Sequence, residues 1–245
     1  MTILVVGATG ATGRLLVEQL LSRGQYVRVI VRSPEKLPAI LKNHDHLTVI
    51  HANVLDLSEA EMARQVNGCD AVASCLGHNI NLKGIFGQPR RLVADATRQL
   101  CHGINSNKSG KPTKFVLMNT TANRNRDLDE PLSIVERGVL GLVRLLLPPQ
   151  VDNEKAADYL RVNIGQNDGL IEWAIVRPDT LINEDKVTEY EVYSSPTRSP
   201  IFNAGSTSRI NVGHFMADLI TNDNTWNRWR GQMPVIYNKT DGSSL

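Results

Sequence analysis

Near its amino end the chain reads Gly7-Ala8-Thr9-Gly10-Ala11-Thr12-Gly13, with a glycine at every third position. An apolar run, Ile3–Val6, leads into it, and a helical pattern follows in which Leu16, Val17, Leu20 and Leu21 recur on one face while Arg14, Glu18 and Ser22 fall on others. A glycine-rich turn between strand and helix suits a phosphate. Gly7 permits the tight turn, Gly10 lets the backbone approach a pyrophosphate, and Gly13 lets the helix pack closely on the sheet. The amides of Thr9, Gly10, Ala11 and Thr12 then face an anion from the positive end of the helix. Dinucleotide binding is the expectation.

The end of the second apolar run, Tyr26–Val31, bears on which dinucleotide. An NAD site places an acidic residue there, about 20 positions beyond the glycines, to bind the ribose 2′-hydroxyl. This chain has Arg32-Ser33-Pro34 and no acid before Glu35. A guanidinium and a hydroxyl favour a 2′-phosphate, so NADP, with NADPH preferred over NADH, is expected; Arg14 offers a second cation.

The remaining chemistry is sparse. None of the five tyrosines has a lysine four residues on, so the Tyr-x-x-x-Lys acid pair of many dehydrogenases is absent. His78 offers a proton donor near neutral pH. His44, His46 and His51 cluster in sequence without completing a ligand set, and no metal site is expected.

Positioning these groups requires a sheet. Further apolar runs at Leu47–His51, Ala71–Cys75, Lys114–Met118 and Trp173–Val176 alternate with helix-length segments at 58–66, 90–102 and 152–162. The expected fold is α/β, a doubly wound parallel sheet of the Rossmann type in one domain spanning 1–245. Two segments break the rhythm. Residues 123–151 form a helical insertion containing the apolar stretch Leu132–Leu147, on which Ser133, Glu136, Arg137 and Arg144 share one strip; a buried core helix ended by Pro148-Pro149 is expected, with a substrate-site cover or a dimer contact as alternatives. Residues 178–245, with an extended Tyr190–Tyr193 and a helix from Val212 to about Thr221, read as a small substrate lobe built on the same sheet.

The 245 residues fit one such domain, and 41% hydrophobic with 21% charged residues excludes a disordered chain. Lys and Arg number 27 against 25 Asp and Glu, so a nucleic-acid partner is not expected. No apolar run reaches about 18 residues, the length needed to cross a membrane. Three unpaired cysteines and no leader-like amino end suggest a reduced, cytoplasmic setting.

With GATGATG, Arg32-Ser33-Pro34, Ile175-Val176-Arg177-Pro178, Arg209-Ile210 and Gly213-His214-Phe215-Met216 together, the chain resembles the atypical short-chain dehydrogenase/reductases. Within them it is most similar to the flavin reductase/biliverdin-IXβ reductase and NmrA-like branch. The resemblance implies that Asn53 and Val54 hold the adenine and that Leu76 and Gly77 line the ribose. It sets Asn119, Thr120 and Thr121 against the nicotinamide, Lys155 near its ribose, and Arg177 and Pro178 with Thr180 and Leu181 along the far wall. Asp158 falls near where those reductases carry a histidine. The implied activity is hydride transfer from NADPH to a small-molecule acceptor that is flat and conjugated, with Thr121 and His78 nearest the chemistry. An NADP-binding regulator without catalysis is the alternative, and a nucleotide-sugar epimerase, disfavoured by the missing Tyr-Lys pair, is a weaker one.

Overall fold

A computed structural model of the chain describes residues 1–78, 87–108, 110–128, 130 and 133–239. Leu132 and residues 240–245, assigned above to the insertion and the lobe, lie outside the described residues. The strands are β1 (Thr2–Val6), β2 (Tyr26–Val31), β3 (Leu47–His51), β4 (Ala71–Ser74), β5 (Thr113–Met118), β6 (Ile171–Pro178), β7 (Thr180–Ile182), β8 (Tyr190–Tyr193), β9 (Ser206–Ser208) and β10 (Val235–Asn238). The helices are α1 (Ala11–Ser22), the short α2 (Ala39–Lys42), α3 (Glu59–Val66), α4 (Leu92–Asn107), α5 (Ile134–Leu146), α6 (Pro148–Asp158), α7 (Arg209–Thr221) and α8 (Asp223–Trp229).

Eight strands form one sheet in the order β3-β2-β1-β4-β5-β6-β10-β8, parallel except for the antiparallel edge strand β8. Strand side chains alternate between two cores, as a sheet covered on both faces requires. Ile3 and Val5 pack with Leu16, Val17 and Leu20 of α1 and Val212, Phe215 and Met216 of α7. Leu4 and Val6 pack with Met62 of α3, Val93, Leu100 and Ile104 of α4 and Ala156 of α6. The expected Rossmann-type α/β fold is present, and β10 and β8 extend the main sheet while β7 and β9 pair beside it.

The insertion departs from expectation. α5 is not a core helix. Ile134 is 87% exposed and Leu145 79%, whereas Glu136 is its one buried residue. The helix is amphipathic in the reverse sense: Glu136 and Arg144 of its polar strip reach the body, whereas Ile134, Val135, Leu142, Leu145 and Leu146 lie exposed. Latches explain the inversion: Ser133 and Glu136 form a capping box, Glu136 accepts a hydrogen bond from Ser199, and Arg144 pairs with Glu154 at 3.0 Å. Pro148 does more than end α5, because as the first residue of α6 it starts the next helix, where its missing N–H costs nothing. A π-type turn, Tyr159–Ile164, continues α6.

Candidate functional site

Because β1 to β6 run parallel, the segments that leave their carboxyl ends share one edge of the sheet. Chain order reverses between β1 and β4, and the crease opens there. Gly7 follows β1 with a φ of +81°, and a Cβ on it would stand 2.5 Å from the backbone of Cys75, which follows β4. A Cβ on Gly13 would stand 2.2 Å from the Gly7 carbonyl oxygen. These two glycines close the turn against the sheet. Gly10 differs: it is exposed, it is the N-cap of α1, and a Cβ there meets only the Gly7 oxygen at 3.2 Å. No side chain caps this helix and no acid lies in its first turn, leaving the amide end of α1 open to an anion. Thr9 is half-buried, Ala11 exposed and Thr12 buried. That cradle fits a pyrophosphate.

Arg32 is exposed after β2, with Ser33 beginning a short turn beside it. His51, at the end of the neighbouring strand, contacts the Arg32 carbonyl through Nε2 at 3.1 Å. Arg14, read above as a second cation, lies 4.0 Å from Glu18 on an exposed face of α1. Asn53 opens the turn after β3, and Val54 beneath it is buried.

After β4, Leu76 packs on the core, Gly77 is exposed and His78 turns inward. Its Nε2 sits 2.7 Å from the Asp152 carboxylate, which also accepts the Val93 and Ala94 amides at 2.8 and 3.0 Å. Asp152 thus caps α4 from another helix while fixing His78. One imidazole nitrogen is engaged, and only the other is left for a ligand.

After β5, the Asn119 side chain donates to the Asn153 carbonyl at 2.9 Å and accepts the Thr120 amide at 2.9 Å, seating α6 over the strand ends. Lys155, two residues along that helix, is exposed and makes no ion pair among the described residues. The Thr121 amide donates to the Pro178 carbonyl at 3.1 Å, bringing these two expected site residues side by side. Asp179 accepts the amides of Thr180 and Gly205 and a bond from the Thr121 side chain; burial raises its carboxyl above the usual range against the pull of those bonds. Tyr159 packs against His102 and Arg98 of α4, and burial raises its phenol too.

Arg177 does not line a wall. It is wholly buried, and its guanidinium grips Glu130 through two contacts of 2.7 and 3.2 Å while donating to the carbonyls of Met233, Asn123 and Ser194. The pair ties the insertion to β6. Beyond it, a cavity of about 510 Å³ opens above Thr121, walled by Arg124, Ser133 and Leu140 on one side and by 196–200 on the other. Nothing in the sequence analysis marks Glu130, Asp152, Asp179 or Arg124 as site residues. Asp179 alone carries a signal there, as the residue after Arg177-Pro178.

Order of strands, reversal point and glycine cradle define a dinucleotide-binding Rossmann protein. A family model described as NAD(P)H-binding matches residues 7–223, and the chain belongs to that family. An oxidoreductase from Lactococcus lactis superposes with a TM-score of 0.70 at 18% identity, over 98% of this chain and 92% of that one. A short-chain dehydrogenase/reductase from Veillonella parvula, solved in complex with NADP, gives 0.68 at 15% identity over 100% and 96%. A Streptococcus pneumoniae protein provisionally described as an NADH-flavin reductase gives 0.65 at 18% over 98% and 100%. At such identities the likeness shows the fold. Among curated proteins, an uncharacterised chloroplastic protein of Arabidopsis thaliana is 44% identical over 54 residues, which span 22% of this chain and 19% of that one. No described helix is long and apolar enough to cross a membrane.

Proposed function

We propose that the protein is an NADPH-dependent reductase that passes hydride to a flat, conjugated acceptor of flavin, quinone or linear-tetrapyrrole type. Thr121 carries the reading, because one residue both bonds to Pro178 at the cofactor edge and floors the 510 Å³ cavity. The bound dinucleotide supplies the hydride. Gly10 and the open end of α1 hold its pyrophosphate, and Arg32 with Ser33 hold the 2′-phosphate. Asn53 and Val54 bracket the adenine, and Leu76 and Gly77 line a ribose. Asn119, Thr120, Lys155 and Pro178 orient the nicotinamide end, and the cavity holds the acceptor face to face with it. Without a Tyr-Lys pair, the acceptor takes its proton from water.

A catalytically silent NADP-binding regulator is the second reading, favoured by the outward apolar face of α5, which a protein partner would cover. Following oxidation of NADPH and of NADH with riboflavin, FMN and menadione, alongside direct cofactor titration, separates the two. Faster turnover with NADPH supports the reductase. Tight NADPH binding without turnover on any acceptor overturns it in favour of the regulator, and a preference for NADH removes the role given to Arg32.

A further inference from the structure

A second recess of about 260 Å³ adjoins the cavity over Thr121, sharing Arg124 and Leu140 with it and running beneath α5. Four arginines line it (Arg124, Arg126, Arg137 and Arg144) against one carboxylate, Glu154. That carboxylate is already shared: Arg144 approaches its Oε2 at 3.0 Å and Arg126 at 3.7 Å, and the Gln150 side chain donates to its Oε1 at 3.1 Å, while Oε2 itself is buried and accepts no hydrogen bond among the described residues. Arg126 is further held by Asp158, at 3.1 Å. Arg137 has no ion pair among the described residues, and Arg124, whose terminal nitrogen donates to the Glu130 carbonyl, keeps a buried Nε without an acceptor there. The nearby acids do not relieve this excess. Glu130 is engaged by Arg177, and Glu136 by Ser133 and Ser199. Arg198 adds one more guanidinium to the larger cavity.

A buried N–H without an acceptor is rare in a folded chain, and like charges gathered in one recess repel. Forked guanidiniums match the oxygens of a phosphate in geometry as well as charge. We propose that this recess is an anion subsite that takes the phosphate-monoester tail of an acceptor whose ring occupies the cavity over Thr121. The inference deepens the reductase reading and rests on it for the ring; the anion subsite itself does not depend on that ring.

Riboflavin and FMN differ by one phosphate, so flavin-fluorescence titration with both measures the subsite. Saturating NADP⁺ throughout keeps phosphates off the glycine loop. FMN should bind at least about tenfold more tightly than riboflavin, the difference expected of charge-assisted bonds. Arg137→Glu, a change on an exposed helix position, should bring that ratio close to one, and Arg137→Lys should retain part of it; an unaltered NADP⁺ affinity verifies folding. Equal affinities for the two flavins in the wild type, or a ratio unmoved by Arg137→Glu, overturns the proposal. Calorimetric titration with inorganic pyrophosphate reads the recess without any ring. If pyrophosphate binds and Arg137→Glu releases it while neither flavin binds, the anion subsite stands and the flavin-type acceptor falls.

Discussion

Gly10 separates two demands that the glycine loop makes on its residues. Its φ of −75° and ψ of 161° are open to any amino acid, and a Cβ would meet only the Gly7 oxygen at 3.2 Å. Alanine is a poorer N-cap than glycine, so Gly10→Ala should cost the fold about 0.5–1 kcal/mol. The same methyl group would stand over the open amides of α1 and hold a pyrophosphate away from them. Losing a charge-assisted hydrogen bond costs about 1.5–3 kcal/mol, or about ten- to a hundredfold in NADPH affinity. Gly13→Ala should behave in the opposite way. Its Cβ would lie 2.2 Å from a backbone oxygen, and such overpacking commonly costs about 1–3 kcal/mol, taken from the fold itself. Thermal melting with fluorescence titration of NADPH on both variants checks the argument. A folded Gly10→Ala that binds NADPH like the wild type, or a Gly13→Ala with an unchanged Tm, would refute it.

Arg32→Ala should weaken NADPH by about 1.5–3 kcal/mol and leave NADH nearly unchanged, as paired titrations would show; equal losses would make Arg32 structural. Glu130→Gln strands the buried Arg177 guanidinium and should destabilise the protein by about 3–5 kcal/mol in denaturant unfolding, where a change within about 1 kcal/mol would discredit the buried-pair argument. Tyr159→Phe should alter kcat/KM by far less than the roughly 10²–10⁴-fold typical of removing a general acid, and a hundredfold collapse would sink the proton-from-water mechanism. Burial raises the Asp179 carboxyl in the folded state, so folding takes up protons and stability falls as pH rises above about 3.9, the unfolded value, toward the raised one. Asp179→Asn removes that slope, and melting curves of the two proteins that stay parallel across this window would show that burial does not govern the group.

The features legible in the sequence are those whose causes lie within a few residues. The run into Gly7, the glycine spacing and the leucines of α1 are one local unit, and the structure keeps it with Gly10 as the cap of α1. Arg177 is illegible for the opposite reason. Its partner Glu130 lies 47 positions away, and nothing in Arg177-Pro178 distinguishes a buried arginine from one facing a ligand. α5 marks the same limit more sharply. Periodicity separates its polar strip from its apolar face, but which of them meets the body depends on Glu154 and on Ser199, 63 positions from Glu136. An amphipathic pattern fixes two faces and leaves their orientation to distant contacts.

That division follows the two halves of the site. The residues expected at the cofactor lie at strand ends and in the turns leaving them, short stretches that a parallel sheet gathers at one edge, so their placement there follows from the order of residues along the chain. The cavity proposed for the acceptor is made from Thr121, the insertion and residues 196–200, which meet only after the chain has folded back over the sheet edge. Its charge depends on which acids are already engaged: Glu130 and Glu136 count as negative in any composition, yet Arg177, Ser133 and Ser199 occupy them and leave Arg124, Arg137 and Arg198 to face the cavities. Net charge near neutrality therefore conceals a basic recess, whose charge is set by pairings that no linear spacing records.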